Sequence, residues 1–149
     1  MLNFNYTFTV DASHTDVAAF HRDTSALKKL SPPPMIVQLH RVDPMGEGSI
    51  SEFTLWLGPI PVRWRAVHSK VSEHGFTDTQ ESGPLEFWAH THRFEAINKS
   101  QTRIHEHIEY RHPKGWRRIF TRLIFSKLGL QFLFTYRQLA TKRALRSKK

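Results

Sequence analysis

Between Met35 and Arg111, turn-forming residues interrupt the chain about every ten positions. The interruptions are Pro44-Met45-Gly46-Glu47-Gly48, Gly58-Pro59-Ile60-Pro61, Glu73-His74-Gly75, Ser82-Gly83-Pro84 and Asn98-Lys99-Ser100. Segments this short and this rich in β-branched and aromatic residues fit strands joined by tight turns, so an antiparallel meander is expected. The strands fall near 35–42, 49–57, 61–72, 75–82, 87–98 and 101–111. A seventh opens the chain, where Leu2, Phe4, Tyr6, Phe8 and Val10 alternate with Asn3, Asn5, Thr7 and Thr9 and so share one sheet face. Ser13 and Thr15 are N-cap candidates for a helix directly after this strand. Val17, Ala18 and Phe20, then Leu27 and Leu30, suggest two short helices broken near Asp23-Thr24 and ended by Ser31-Pro32-Pro33-Pro34.

After His112-Pro113-Lys114-Gly115, the stretch from Trp116 to about Arg146 is free of proline. Its apolar residues, among them Trp116, Phe120, Leu123, Leu128, Phe132 and Leu133, mostly recur at spacings of three and four, as in one long helix with Gly129 as a kink. The order predicts an α+β chain: a seven-stranded antiparallel sheet curled around a long C-terminal helix, with two short helices after the first strand. At 149 residues and 39% hydrophobic content, it is expected to form one domain over 1–149, with a basic tail from about 141 to 149.

The chain has no cysteine, which removes disulfides, thiolate metal sites and thiol nucleophiles. It lacks an apolar run long enough to span a bilayer, and Met1-Leu2-Asn3-Phe4 does not start a secretory leader, so a cytoplasmic location is expected. Residues 112–149 hold eleven Lys/Arg and no acid, whereas residues 1–111 hold eleven bases against thirteen acids. Such a one-sided field attracts anionic partners. Lys142, Arg143, Arg146, Lys148 and Lys149 are candidates for contact with an anionic membrane surface, ahead of nucleic acid or ribosome because the aromatic residues are expected to be buried rather than interleaved with the bases.

Strand alternation selects the side chains expected inside. On 101–111 the inner row is Thr102, Ile104, Glu106, Ile108 and Tyr110; on 87–98 it is Trp88, His90, His92, Phe94 and Ala96; on 61–72 it includes Trp64 and His68. On 49–57 the cleaner inner row is Ser51, Phe53, Leu55 and Leu57, with Glu52 and Trp56 outside. A carboxylate at Glu106 inside an apolar space must be paired, hydrogen-bonded or protonated, and His90 or His92 on a neighbouring strand is its natural partner. His90, His92 and Glu106 are therefore the candidates for proton transfer. His90-x-His92 also has metal-ligand spacing, with His68 and Glu106 as further ligands, but no metal and no cofactor is expected. No phosphate-binding glycine loop, nucleophile elbow or zinc-protease helix is present.

This order of elements resembles the START-like superfamily, also called SRPBCC, in its small stand-alone bacterial members. The resemblance rests on the opening strand, Leu30-Ser31-Pro32-Pro33-Pro34, Gly83-Pro84 with Trp88-Ala89-His90-Thr91-His92-Arg93-Phe94, Thr102 through Ile108-Glu109-Tyr110, Pro113-Lys114-Gly115 and Phe134-Thr135-Tyr136-Arg137. It implies a helix-grip fold, like that of the birch-pollen allergen and polyketide cyclase/dehydrase-like proteins, with a cavity for a hydrophobic molecule between sheet and helix. Combined with the alternation, it makes Trp64, His68, Trp88, His90, His92, Phe94, Ile104, Glu106, Ile108 and Tyr110 the expected ligand-binding set, for a lipid or an aromatic, polyketide-like compound. The alternatives are an aromatase/cyclase-like enzyme using the His/Glu pair and a basic adaptor for membrane or ribosome.

Overall fold

A computed structural model describes residues 1–146, so Lys148 and Lys149 of the basic tail lie outside the described residues. Strand β1 (Leu2–Val10) leads into helix α1 (His14–Arg22) and a 3-10 turn (Thr24–Lys28). Six strands come next: β2 (Ile36–Val42), β3 (Ile50–Leu57), β4 (Ile60–Ser72), β5 (Gly75–Ser82), β6 (Phe87–Asn98) and β7 (Gln101–Arg111). Helices α2 (Arg117–Ile124) and α3 (Lys127–Arg146) end the described chain. All seven strands form one antiparallel sheet in the order β1-β7-β6-β5-β4-β3-β2, so the first strand docks on the last and the rest is a meander. Every expected strand is present within two residues of its predicted ends.

Local chemistry accounts for the joints. Ser13 caps α1, its hydroxyl accepting from the Asp16 amide at 3.2 Å, and Asp23 accepts from the Ser25 amide at 2.9 Å to start the 3-10 turn. Buried Thr102 donates to the Ala12 carbonyl at 2.9 Å and fastens β7 to the corner after β1. Gly75 has a φ of 145°, and a Cβ there would sit 1.9 Å from the His92 carbonyl oxygen, so glycine is what lets β5 begin directly against β6.

The C-terminal segment departs from the expected single helix. It breaks at Phe125-Ser126, not at Gly129. The Ser126 hydroxyl accepts from the Gly129 amide at 3.0 Å, capping a new helix and so making the break favourable. Gly129 serves a different purpose: a Cβ there would lie 2.3 Å from the Ile124 carbonyl oxygen, so its absence lets the start of α3 abut the end of α2. The face that closes the sheet also differs. Phe125, Leu130, Phe134, Thr141 and Leu145 are buried, whereas Trp116, Leu123, Leu128 and Phe132 point outward.

Two hydrophobic clusters fill the interior. One joins Phe8, Val10, Val17, Phe20, Phe94, Ile104 and Leu145 near α1 and the far end of α3; the other joins Phe4, Trp64, Trp88, Ile108, Tyr110, Phe125, Leu130 and Phe134. Burial of side chains such as Ile104, Ile108 and Phe134, each 0% exposed, stabilises the fold by about 1.5–3 kcal/mol apiece.

Candidate functional site

Glu106 lies on β7 between Ile104 of the first cluster and Ile108 of the second, and His90 and His92 lie on β6 between Trp88 and Phe94. The ionisable residues thus occupy the seam between two apolar masses. Register brings them together. His92 is directly opposite Glu106 across β6 and β7, and Asp78 on β5 is directly opposite His90. The His90 Nε2–H donates to Glu106 Oε2 at 2.8 Å, and His92 Nε2–H donates to Asp78 Oδ2 at 3.0 Å. His92 Nδ1 lies 2.9 Å from the same Glu106 oxygen in ion-pair contact, off the line of a hydrogen bond. The two imidazole rings are 3.9 Å apart, centre to centre.

These contacts drive the neighbouring histidines to opposite charge states. Burial opposes a charge on His92, but the Glu106 carboxylate and the hydrogen bond to Asp78 outweigh it and raise the pKa to about 9. Burial and the adjacent His92 charge lower that of His90, which stays neutral. Burial works against a charged Glu106, yet His92 and the hydrogen bond from His90 hold its carboxyl well below the usual range. Asp78 behaves likewise, lowered against its burial by the His92 hydrogen bond. A third histidine, His21 in the last turn of α1, is pushed down to about 4, chiefly by burial. Since the Val17 carbonyl can only accept, His21 Nδ1–H is the donor at 2.9 Å and Nε2 carries the lone pair.

A cavity of about 480 Å³ opens against this cluster. Phe53, Leu55, Val62 and Ala66 form its floor with Trp64 and Trp88; Leu27, Leu30 and Met35 form one side, and Ile124, Phe125, Phe132 and Leu133 the roof. Exposed residues that also line it, including Pro33, Pro34, Gly58 and Phe132, mark the mouth. Its polar end presents His21, Asp78, His90, His92 and Arg137. Arg137 has no hydrogen bond or ion pair among the described residues. Its guanidinium sits 5.1 Å from the Phe134 ring centre, its Nε is buried without a partner, and burial lowers its pKa although Glu106 and Asp78 oppose the shift.

Of the ten expected ligand-binding residues, Trp64, His68, Trp88, His90 and His92 stand on the cavity wall. Glu106 does not: it is behind the two histidines and acts on the cavity through them. Phe94 and Ile104 pack into the first cluster, and Ile108 and Tyr110 into the second, because α1 and α3 cover those ends of β6 and β7. His68 turns away from the cluster, its Nδ1 3.0 Å from both the hydroxyl and the carbonyl oxygen of Ser49. Glu52 and Trp56 face outward as expected, with the Trp56 indole donating to Gln38 at 3.0 Å.

Asp78, His21, Phe76 and Arg137 join the site without being among the residues expected from sequence. One local signal points to one of them: His21 is one turn beyond apolar Val17 on α1. Two triads have ligand atoms within 4.8 Å of one another, Asp78-His90-His92 and His21-His92-Glu106. His92 belongs to both, so a cation at either would displace a proton held between two carboxylates.

No family model matches the sequence, and no curated protein sequence is similar to it. Solved structures do match. The aromatase/cyclase Zhui from Streptomyces sp. R1128 superposes with a TM-score of 0.77 at 12% identity, over 97% of this chain and 93% of that one. A START superfamily protein from Mycobacterium smegmatis gives 0.73 at 10%, over 99% of both. Norcoclaurine synthase from Thalictrum flavum, in complex with dopamine and hydroxybenzaldehyde, gives 0.72 at 17%, over 99% of this chain and 88% of that one. With the curled seven-stranded sheet and the long closing helix, these likenesses give the chain the START-like helix-grip fold.

Proposed function

We propose that this protein binds an amphipathic hydrophobic small molecule, lipidic or ring-bearing, in the cavity between sheet and helices. The observation that carries the reading is the 480 Å³ cavity with an apolar body and one polar end. Desolvation of the ligand against Trp64, Trp88, Phe53 and Leu133 supplies affinity. The polar end supplies orientation. Arg137 is half-buried, with its Nε buried and unpartnered and no paired counter-ion among the described residues, an arrangement that costs free energy until an acceptor oxygen reaches it. A ligand carboxylate is the group that suits it best, since a guanidinium can bind both oxygens.

Titration with matched pairs tests the reading, using dodecanoate against dodecanol and 2-naphthoate against 2-naphthalenemethanol. Tryptophan emission reports binding, and native mass spectrometry reports stoichiometry. The expected result is a one-to-one complex in which the acid binds roughly ten- to a hundredfold more tightly than the alcohol, a preference lost in Arg137→Met. Absence of any complex, together with absence of any co-purifying small molecule, would overturn the reading.

A second reading, proton transfer on the bound molecule, is favoured by the His90/His92 pair. Two imidazoles 3.9 Å apart on the cavity wall, one neutral and one charged, provide a base and an acid side by side. Under this reading Glu106→Gln abolishes turnover of a cyclising or dehydrating substrate while binding persists.

A further inference from the structure

The helices above the cavity mouth turn an apolar stripe to water. On α2 and at its entry, Trp116, Ile119 and Leu123 recur at spacings of three and four and are 78%, 77% and 79% exposed. The opposite side of α2 is anchored by Thr121, 1% exposed and hydrogen-bonded to His112 at 3.0 Å. On α3, Leu128 and Phe132 continue the patch at 83% and 66% exposed. Phe132 also lines the cavity, as does Ile124 beside Leu123. The patch and the mouth are therefore one surface.

Cations surround it. Lys114, Arg118, Arg122 and Lys127 are not buried, and none forms an ion pair among the described residues. Residues 112–149 contain no acid to neutralise them. An exposed apolar stripe bearing an indole and edged by unpaired basic residues is the pattern of a helix lying in a bilayer interface. Apolar faces between protein copies tend instead to shed charge at their centre, and here the arginines sit within the same helix turn as the apolar residues.

We propose that α2 and the first turns of α3 dock on the surface of an anionic membrane, with Trp116, Ile119, Leu123, Leu128 and Phe132 inserted among the headgroups and Arg118 and Arg122 on lipid phosphates. Docking turns the cavity mouth to the bilayer, so that an amphipathic molecule can pass between lipid and cavity without crossing water. This goes beyond cavity binding and shares only Phe132 with the cavity wall, and because its test uses ligand-free protein and variants outside that wall, the two fail independently.

The test is co-sedimentation of the ligand-free protein with vesicles of phosphatidylcholine alone and of phosphatidylcholine and phosphatidylglycerol at roughly three to one. The expected result is binding to the anionic vesicles that weakens with salt, and a blue shift in emission that Trp116→Phe removes. Arg118→Gln with Arg122→Gln should weaken binding roughly thirtyfold, at about tenfold per 1.4 kcal/mol. Ile119→Ser with Leu123→Ser, at positions too exposed to unfold the protein, should abolish the blue shift. Failure to bind anionic vesicles at low salt, or binding unchanged in both double variants, overturns the proposal. So does a dimer in sedimentation velocity that the Ile119→Ser, Leu123→Ser variant dissolves, which would assign the stripe to a second copy of the chain.

Discussion

Replacing Glu106 by glutamine keeps the size of the side chain and one acceptor oxygen for His90 but removes the charge that does most to hold a proton on His92. The gap between the ordinary 6.5 of a histidine and about 9 for His92 corresponds to roughly 3 kcal/mol of stabilisation. A group whose folded pKa exceeds its unfolded value contributes fully below the unfolded pKa. The contribution is therefore complete below pH 6.5 and is lost as pH rises through about 9. Glu106 is the larger of the two raising partners and Asp78 the smaller, so Glu106→Gln should forfeit about 2 kcal/mol of it. Urea denaturation followed by tryptophan fluorescence measures this directly. Wild type should exceed Glu106→Gln by about 2 kcal/mol more near pH 6.5 than near pH 10. Side-chain NMR should place His92 near 9 in wild type and well below that in the variant. A stability gap that does not change with pH, or a wild-type His92 titrating near 6.5, would refute the coupling of His92 to the two carboxylates.

The acid limb of the stability curve and the joint between the two C-terminal helices offer two more tests. His21 is buried and pushed down to about 4, so wild-type stability should fall by roughly 3 kcal/mol as pH drops from 6.5 to 4, because the unfolded chain takes up a proton that folded His21 refuses. His21→Gln should flatten that limb of the acid-unfolding curve. Gly129→Ala forces a Cβ to within 2.3 Å of the Ile124 carbonyl oxygen and should cost about 1–3 kcal/mol as α3 backs away from α2, visible as a lower thermal midpoint.

The strands and their inner faces are legible in the sequence because alternation is a local property. In β3, β4, β6 and β7 every second residue is apolar over most of the length, and the sheet's other face is wet, so alternation alone turns Trp64, His68, Trp88, His90, His92 and Glu106 inward. Strand β5 reads Gly-Phe-Thr-Asp-Thr-Gln-Glu-Ser, with one large apolar residue, and that is too little pattern to orient Asp78. Its place in the cluster comes only from being paired with His90.

The helices illustrate the opposite case. From Trp116 to Leu145 apolar residues occur on every side, so spacing alone cannot choose a buried face, and the set it picks out for the closing helix includes Trp116, Leu123, Leu128 and Phe132. The break at Phe125-Ser126 and the packing of Leu130, Phe134 and Leu145 against the two clusters settle the choice the other way. What the sequence determined by itself was the order of elements, the curled antiparallel sheet and a carboxylate placed among histidines on its inner face, since each of these depends on neighbours a few residues apart. Only the tertiary structure decided that Glu106 acts from behind His90 and His92, that Arg137 faces the cavity without a partner among the described residues, and that an apolar helix stripe is left to water. Those outcomes depend on which segments distant in the chain reach the same space first, and that competition leaves no local periodicity to read.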